Sequence, residues 1–191
     1  MPSRPQAEAR RGREPRAVEG KAVRARLDAI DIRILAILQR EGRITKLALA
    51  ERAGLSPTPC WERLKRLERT GLIAGYHARI ELRRLAPHAI VFAEVTLRSH
   101  RQVDFAAFEA EIRALPEVVE CWAVGGGLDY LLKIVTPDID AYQRLIDRLL
   151  GAGIGIDRYF TYVVTKPVKH SSELPIAELV NSARGREGGE R

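Results

Sequence analysis

The hydrophobic rhythm changes once along this chain, and that change limits the fold more than any other feature. From Leu27 to Thr70 the apolar residues recur at the three-and-four spacing of helices. From Ala89 to Val164 short alternating or mixed apolar runs are interleaved with two further helical patterns. Two rhythms imply two units joined by a short connection, and 191 residues are enough for two small domains.

The first unit is organised around the stretch Gly54 to Gly71. Gly54 suits the φ > 0 backbone of a tight turn. Ser56 or Thr58 can cap the following helix, because each precedes a proline suited to the first helical position. Gly71 ends it as a left-handed cap. With Cys60 as angular zero, an advance of about 100° per residue puts Cys60, Leu64 and Leu67 on one apolar stripe. Thr58, Glu62, Lys65, Arg66 and Arg69 fall opposite, with Trp61 on the flank. Upstream, Asp28 caps a helix with Asp31 at its positive end, and Ile30, Ile34, Ile37 and Leu38 follow at helical spacing. Gly42 is expected to stop that helix after Glu41. Thr45 caps a short helix holding Leu47, Ala48, Leu49 and Ala50, the last small enough for a close helix crossing near the turn.

Helix, short helix, glycine turn and capped cationic helix is the order of a helix-turn-helix unit. Its predicted core is Ile30, Ile34, Leu38, Leu49, Leu55, Leu64 and Leu67. A cationic helix face is more often merely solvated; the preceding short helix and turn favour DNA binding. Leu72 to Ile80 alternates and suits a strand leading out of the unit, and residues 81 to 87 read as linker.

Beyond it, Ala89 to Leu97 reads as a strand, and Phe105, Phe108, Ile112 and Leu115 space a helix ending at Pro116. Val118 to Val124 is a strand, Gly125-Gly126-Gly127 turns it, and Asp129 to Val135 returns. Tyr142, Leu145, Ile146 and Leu149 space a helix closed by Gly151, and a last strand lies within Ile156 to Val168. The order β-α-β-β-α-β is the split βαβ, ferredoxin-like arrangement. The fold class is therefore α+β, a helix-turn-helix unit of winged-helix-like type followed by a ferredoxin-like unit. The divisions are 1–24 as a disordered basic tail, 25–74 as the helix-turn-helix, 75–87 as a linker strand, 88–170 as the ferredoxin-like domain and 171–191 as a C-terminal tail.

Composition narrows the function classes. A net charge of +7 and a pI near 9.8 favour an anionic partner such as nucleic acid. Charged residues make up 30% of the chain and no apolar run approaches the ~18 residues of a membrane span, so no membrane role is expected. Cys60 and Cys121 have no metal-ligand spacing and fit a reducing cytosol. His77, His88, His100 and His170 are scattered without a pair on one helix, and no phosphate-binding glycine loop or nucleophile elbow occurs. The chain is predicted to be no enzyme, with neither cofactor nor metal. The basic residues Arg10, Arg11, Arg13 and Arg16 suit either a solvated tail or an arm on DNA.

These residues carry a family resemblance. Leu55-Ser56-Pro57-Thr58-Pro59-Cys60 followed by Glu62-Arg63-Leu64-Lys65-Arg66-Leu67-Glu68 resembles the recognition helix of the Lrp/AsnC, or feast/famine, transcription regulators. Leu27-Asp28, Asp31, Ile34-Leu35 and Gly42-Arg43-Ile44 resemble the family's first helix and turn. Gly126-Leu128-Asp129-Tyr130-Leu131-Leu132 resembles the loop and strand of its effector domain, and Thr161-Tyr162-Val163-Val164 its final strand. The resemblance covers about residues 25 to 170 and implies a sequence-specific regulator of double-stranded DNA in the cytoplasm, associated with the nucleoid. It further implies homodimers joined through the ferredoxin-like domain, which assemble into tetramers or octamers, and a small amino-acid-like effector in a cleft between subunits.

The DNA-reading residues are then Ser56, Thr58, Trp61, Glu62, Lys65, Arg66 and Arg69, where cations can meet phosphates or guanine edges. Trp61 stands where a leucine is expected, and either touches DNA or buries in the helix interface. The effector loop is Gly125, Gly126 and Gly127 with Asp129 and Tyr130. Glycines open main-chain N–H groups to a ligand, a carboxylate can pair with an amino group, and a plain hairpin turn is the bland alternative. Gly126 and Asp129 carry the family's role. Gly127 replaces the acidic residue expected in leucine-responsive members, which weighs against leucine. Gly-Gly-Gly-Leu-Asp-Tyr resembles the subgroup controlling use of the compatible solute ectoine, so an ectoine-breakdown intermediate is the alternative effector. An architectural DNA-wrapping protein without a working effector site is the competing function.

Overall fold

Asp28 starts the first helix as its position predicts. In a computed structural model of the chain, which describes residues 27–188, its carboxylate accepts the Ile30 and Asp31 amides at 3.0 and 2.9 Å. The Asp31 carboxylate accepts the Asp28 amide in return at 3.0 Å, completing a capping box on α1 (Ala29–Arg40). Gly42 does not end this helix: Glu41 leaves helical geometry at φ −139° and no left-handed residue is needed there. Thr45 caps α2 (Lys46–Ala53) by accepting the Ala48 amide at 3.2 Å, and Gly54 closes it at φ 73°. A side chain in that conformation is strained, so the turn depends on glycine. The next helix, α3 (Pro57–Arg69), ends at Thr70, with Gly71 left-handed at φ 75°.

The three helices share one core. Ile34, Leu49, Ala50, Cys60 and Leu67 are almost fully buried in it, with Leu35, Ile37, Ala53 and Leu64 around them. Ile30, Leu38 and Leu55, expected inside, pack at its border. The small Ala50 lets α2 cross α3 next to the glycine turn, which fixes the angle at which α3 is presented.

The chain divides into two compact units, residues up to His77 with those from Ser172 onward, and Ala78–Ser171. The C-terminal segment is therefore not a tail. Residues Ile176–Gly188 form a helix, α7, that belongs to the first unit. Leu174 and Gln39 exchange two hydrogen bonds at 2.6 and 3.3 Å, Arg40 pairs with Glu173 at 2.7 Å, and Ile176 packs on the core. The predicted tail before residue 25 lies outside the described residues, as do residues 189–191.

The linker also differs from expectation. Residues 75–80 form no strand, because their backbone finds no ladder partner among the described residues, and α4 (Leu82–Leu85) is a single helical turn. Tyr76 instead ties back to the first unit, its hydroxyl donating to Glu68 at 2.9 Å. Burial and that carboxylate hold the phenol up to about 12, so it stays a neutral donor.

In the second unit β1 (Ala89–Leu97), β2 (Val118–Ala123), β3 (Tyr130–Thr136) and β4 (Ile156–Val163) form one antiparallel sheet in the order β2-β3-β1-β4. The crossovers α5 (Gln102–Ala114) and α6 (Ile139–Gly151) pack on one face, giving the ferredoxin-like arrangement the pattern predicts. Val91, Ala93 and Val95 of β1 and Tyr130, Leu132 and Ile134 of β3 alternate into this core against Phe108, Ile112, Leu145 and Leu149. The intervening residues form the other face, which no element of this unit covers among the described residues.

Candidate functional site

The outer side of α3 is set by its start. Ser56 takes the N-cap position, but its hydroxyl caps no backbone amide, and Pro57 fills the first helical position. Thr58 is inside the helix, so Ser56 alone is the cap by geometry. Both side chains are exposed at the positive end of the helix dipole, where N–H groups point outward and anions are favoured. Glu62, Lys65 and Arg69 are exposed along the same side.

Trp61 is half-buried, one edge packed on the core. Its ring lies under two ammonium groups, Lys46 Nζ at 3.4 Å and Lys65 Nζ at 4.9 Å from the centroid. The two alternatives for this residue merge: the indole is a core residue whose outer part positions cations from α2 and α3. Lys46, which no spacing argument singled out, thereby joins the face.

Arg66 has a different employment from the one predicted. Asp31 is fully buried, and its carboxylate accepts Arg66 Nη2 at 2.5 Å and Arg63 Nη1 at 2.9 Å. Arg63 also reaches Asp28 at 2.6 Å. The amide of Asp31, and then the Arg63 guanidinium, hold the Asp28 carboxyl below its usual range. Arg63 and Arg66 thus lock α3 to α1, and the unpaired cations along this side, among the described residues, are Lys46, Lys65 and Arg69. Helical spacing placed Arg66 on the outer face; a side chain long enough to reach back to an aspartate 35 residues away in sequence is not visible in spacing.

In the second unit the glycines join β2 to β3. Gly125, Gly126 and Gly127 are exposed, Gly126 at φ 135°, and a Cβ built on any of them meets nothing within 4 Å. Asp129 stakes this loop to β1. Its amide donates to the Val95 carbonyl, its carbonyl accepts Val124, and its carboxylate accepts the Leu97 amide at 2.8 Å. His100 Nε2 lies 3.1 Å from the same carboxylate, its ring stacked on Phe105. Asp129 is accordingly a loop-holding residue, its carboxylate already engaged rather than free to pair with a ligand amino group as expected. His100, set aside as one of four scattered histidines, is its partner.

Tyr130 faces away from the loop. It is buried against Phe108 at 4.5 Å between ring centroids, and its hydroxyl donates to Glu109 at 3.0 Å. Burial and Glu109 raise its pKa well above the usual phenol range, so it is a core residue and no ligand contact. Alternation along β3 dictates this: the residue after Asp129 must point into the helix-covered face.

The uncovered face of the sheet is rich in large apolar groups. Trp122, Phe160 and Tyr162 are 43, 54 and 50% exposed, with Phe92, Leu131 and Val135 half-buried between them. Its charges are partly paired, Lys133 with Glu120 at 2.7 Å. Among the described residues no cluster of three or more His, Cys, Asp or Glu is arranged for a metal ion, and no helix is long and apolar enough to cross a membrane.

Comparison with known proteins agrees with both halves. Residues 27–74 match the model of a winged helix-turn-helix DNA-binding domain, and residues 90–174 that of the Lrp/AsnC ligand binding domain. The transcriptional regulatory protein DoeX of Halomonas elongata is 52% identical over 155 residues, 81% of this chain and 98% of the relative. The leucine-responsive regulatory protein of Escherichia coli K12 is 44% identical over 150 residues, 78% of this chain and 92% of the relative. A transcriptional regulator of Neisseria meningitidis solved as its L-Met complex superposes with a TM-score of 0.76 at 35% identity, covering 80% of this chain and 99% of that one. An AsnC family regulator from Agrobacterium tumefaciens gives 0.75 at 33% identity over 80% and 99% of the two chains. With a DNA-reading helix unit and a ligand-binding sheet unit matched in order by such relatives, the chain belongs to the Lrp/AsnC family of DNA-binding transcriptional regulators.

Proposed function

We propose that the protein binds operator DNA through Ser56, Thr58, Trp61, Lys65 and Arg69 with Lys46, and that a small amino-acid-like metabolite bound at Gly125–Gly127 changes its DNA binding or assembly. Glu62 shares the exposed side of α3 and discriminates among bases by accepting from cytosine or repelling phosphate. The assembly is a homodimer, built further into tetramers or octamers, acting on the nucleoid in the cytoplasm. One observation carries the reading of the second unit: an exposed, side-chain-free loop is staked by Asp129 beside an uncovered apolar sheet face.

The loop by itself is no pocket, since among the described residues nothing lies within 4 Å of its Cβ positions. A second copy supplies both the missing wall and the cover for Phe160 and Tyr162. Stable interfaces bury about 1,600 Å² in total, and an aromatic-rich sheet face suits one. The related regulator solved with L-Met supports an amino acid as ligand class. The Gly-Gly-Gly-Leu-Asp-Tyr loop supports an intermediate of ectoine breakdown within that class.

Gly127→Glu tests the loop. Gly127 has ordinary φ and open space at its Cβ, so the substitution leaves the melting temperature within about 2 °C, as expected of a surface change. It places an acid where leucine-responsive members are expected to carry one. The expected result is intact DNA binding with an altered rank order of amino acids in a thermal-shift series. An unaltered order removes the loop from the ligand site.

A further inference from the structure

The second unit is electrically lopsided. Its two end segments, residues 78–88 and 164–171, carry Arg79, Arg83, Arg84, Lys166 and Lys169 against the single carboxylate of Glu81. The remainder of the unit carries seven Lys or Arg against eleven Asp or Glu. Both segments meet at one end of the sheet, where β1 begins and β4 ends, and together they line an open concavity of about 590 Å³. Its wall includes Arg83, Arg84, His88 and Thr165, with Ile90 and Val164 behind.

All five cations are exposed, and none has an ion-pair partner among the described residues. The carboxylates at the same end are Glu117, paired with Arg148 at 3.2 Å, and Asp138 and Asp140 at the start of α6, where Asp138 caps the Ala141 amide at 2.6 Å. Elsewhere in the unit Arg98, Arg101, Arg113, Lys133 and Arg148 have carboxylate partners, and only Arg144 and Arg158 have none among the described residues. Concentrating unpaired positive charge in one place raises self-repulsion, which an anionic partner relieves.

We infer that this basic end of the ligand-binding unit is a second DNA contact, gripping the phosphate backbone of a duplex that α3 reads. A polyanion fits better than a small anion. The concavity is open, its arginines are exposed, and no buried polar side chain is aimed into it to orient a small ligand. The lysines flank it as further contacts along a strand. Chain continuity keeps DNA in reach: Arg79 follows Arg69 by ten residues, a span of at most about 35 Å. A tethered second contact adds affinity through effective concentration without any base recognition. Tight, salt-sensitive binding then comes from both units, and specificity from α3 alone.

The test is the salt dependence of binding by the full chain to a random-sequence duplex of about 40 bp, roughly four helical turns. The quadruple variant Arg83→Gln, Arg84→Gln, Lys166→Gln, Lys169→Gln is compared with wild type and with Arg144→Gln on α6. Each lost phosphate contact makes the slope of log K against log salt shallower by about 0.9. The quadruple variant is expected to lose about 2 or more from the slope and on the order of tenfold in affinity at 0.15 M salt, while Arg144→Gln matches wild type. Equal thermal midpoints show that the fold is intact. An unchanged slope overturns the proposal, as does weaker binding with the slope unchanged. It is also overturned if citrate or inorganic phosphate stabilises wild type but not the variant while DNA binding is equal, which makes the concavity a small-anion site. Failure of wild type to bind DNA at all would instead refute the DNA-binding function itself.

Discussion

Asp31 shows how much a single residue decides in this protein. It is wholly buried, caps α1 in return for Asp28, and takes a guanidinium on each oxygen, from Arg63 and Arg66. A buried carboxylate is tolerable only while those partners remain, because its desolvation is otherwise uncompensated. Arg63→Ala with Arg66→Ala is therefore expected to destabilise the helix-turn-helix unit by about 3 kcal/mol in a denaturant titration. Asp31→Asn, which removes the charge but keeps an acceptor for the Asp28 amide, is expected to lose less. The opposite order would mean that the arginines act elsewhere. The same geometry leaves Lys46, Lys65 and Arg69 as the cations proposed for DNA contact, which no carboxylate engages among the described residues.

At the scale of elements, the short-range signals were the readable ones. Asp28, Thr45, Gly54 and Gly71 act within a few residues of themselves, so their caps and turns follow from local chemistry. The four strands and two crossovers were equally legible, because alternation and helical spacing are properties of each segment alone. What stayed hidden depends on distant partners. Arg66 turns inward to Asp31, Asp129 is occupied by Leu97 and His100, and residues 75–80 lack a strand to pair with. The last helix was missed although Pro175 is followed by Ile176, Leu179 and Val180 at helical spacing. That short pattern becomes meaningful only with α1 to receive it, through Gln39, Arg40 and the core contact of Ile176. Ile176→Ala is expected to cost the first unit about 1–2 kcal/mol, as partial burial of one apolar side chain implies, read as a lower thermal midpoint with unchanged sheet signal. An unchanged midpoint would show that α7 rests on α1 without stabilising it.

For the whole molecule, two incomplete surfaces bear on the proposed assembly. The uncovered sheet face exposes Trp122, Phe160 and Tyr162, and the glycine loop lacks a wall. Phe160→Arg is expected to leave the fold intact, since the side chain is half exposed, and to shift the sedimentation coefficient to that of a monomer. A wild-type assembly that survives it would place the interface elsewhere. Self-association, ligand capture and DNA binding then belong to one linked equilibrium, in which a ligand preferring one assembly stabilises it by mass action. The proposed regulation is that a small metabolite alters the DNA binding of this regulator. Its most direct test titrates amino acids and ectoine-breakdown intermediates into the full-length protein on a duplex selected by it from a random pool, followed by fluorescence anisotropy. At least one compound is predicted to change the apparent Kd several-fold and to raise the melting temperature of the protein alone. If none of them changes Kd, melting temperature or oligomer size, the protein is an architectural DNA binder and the claim fails.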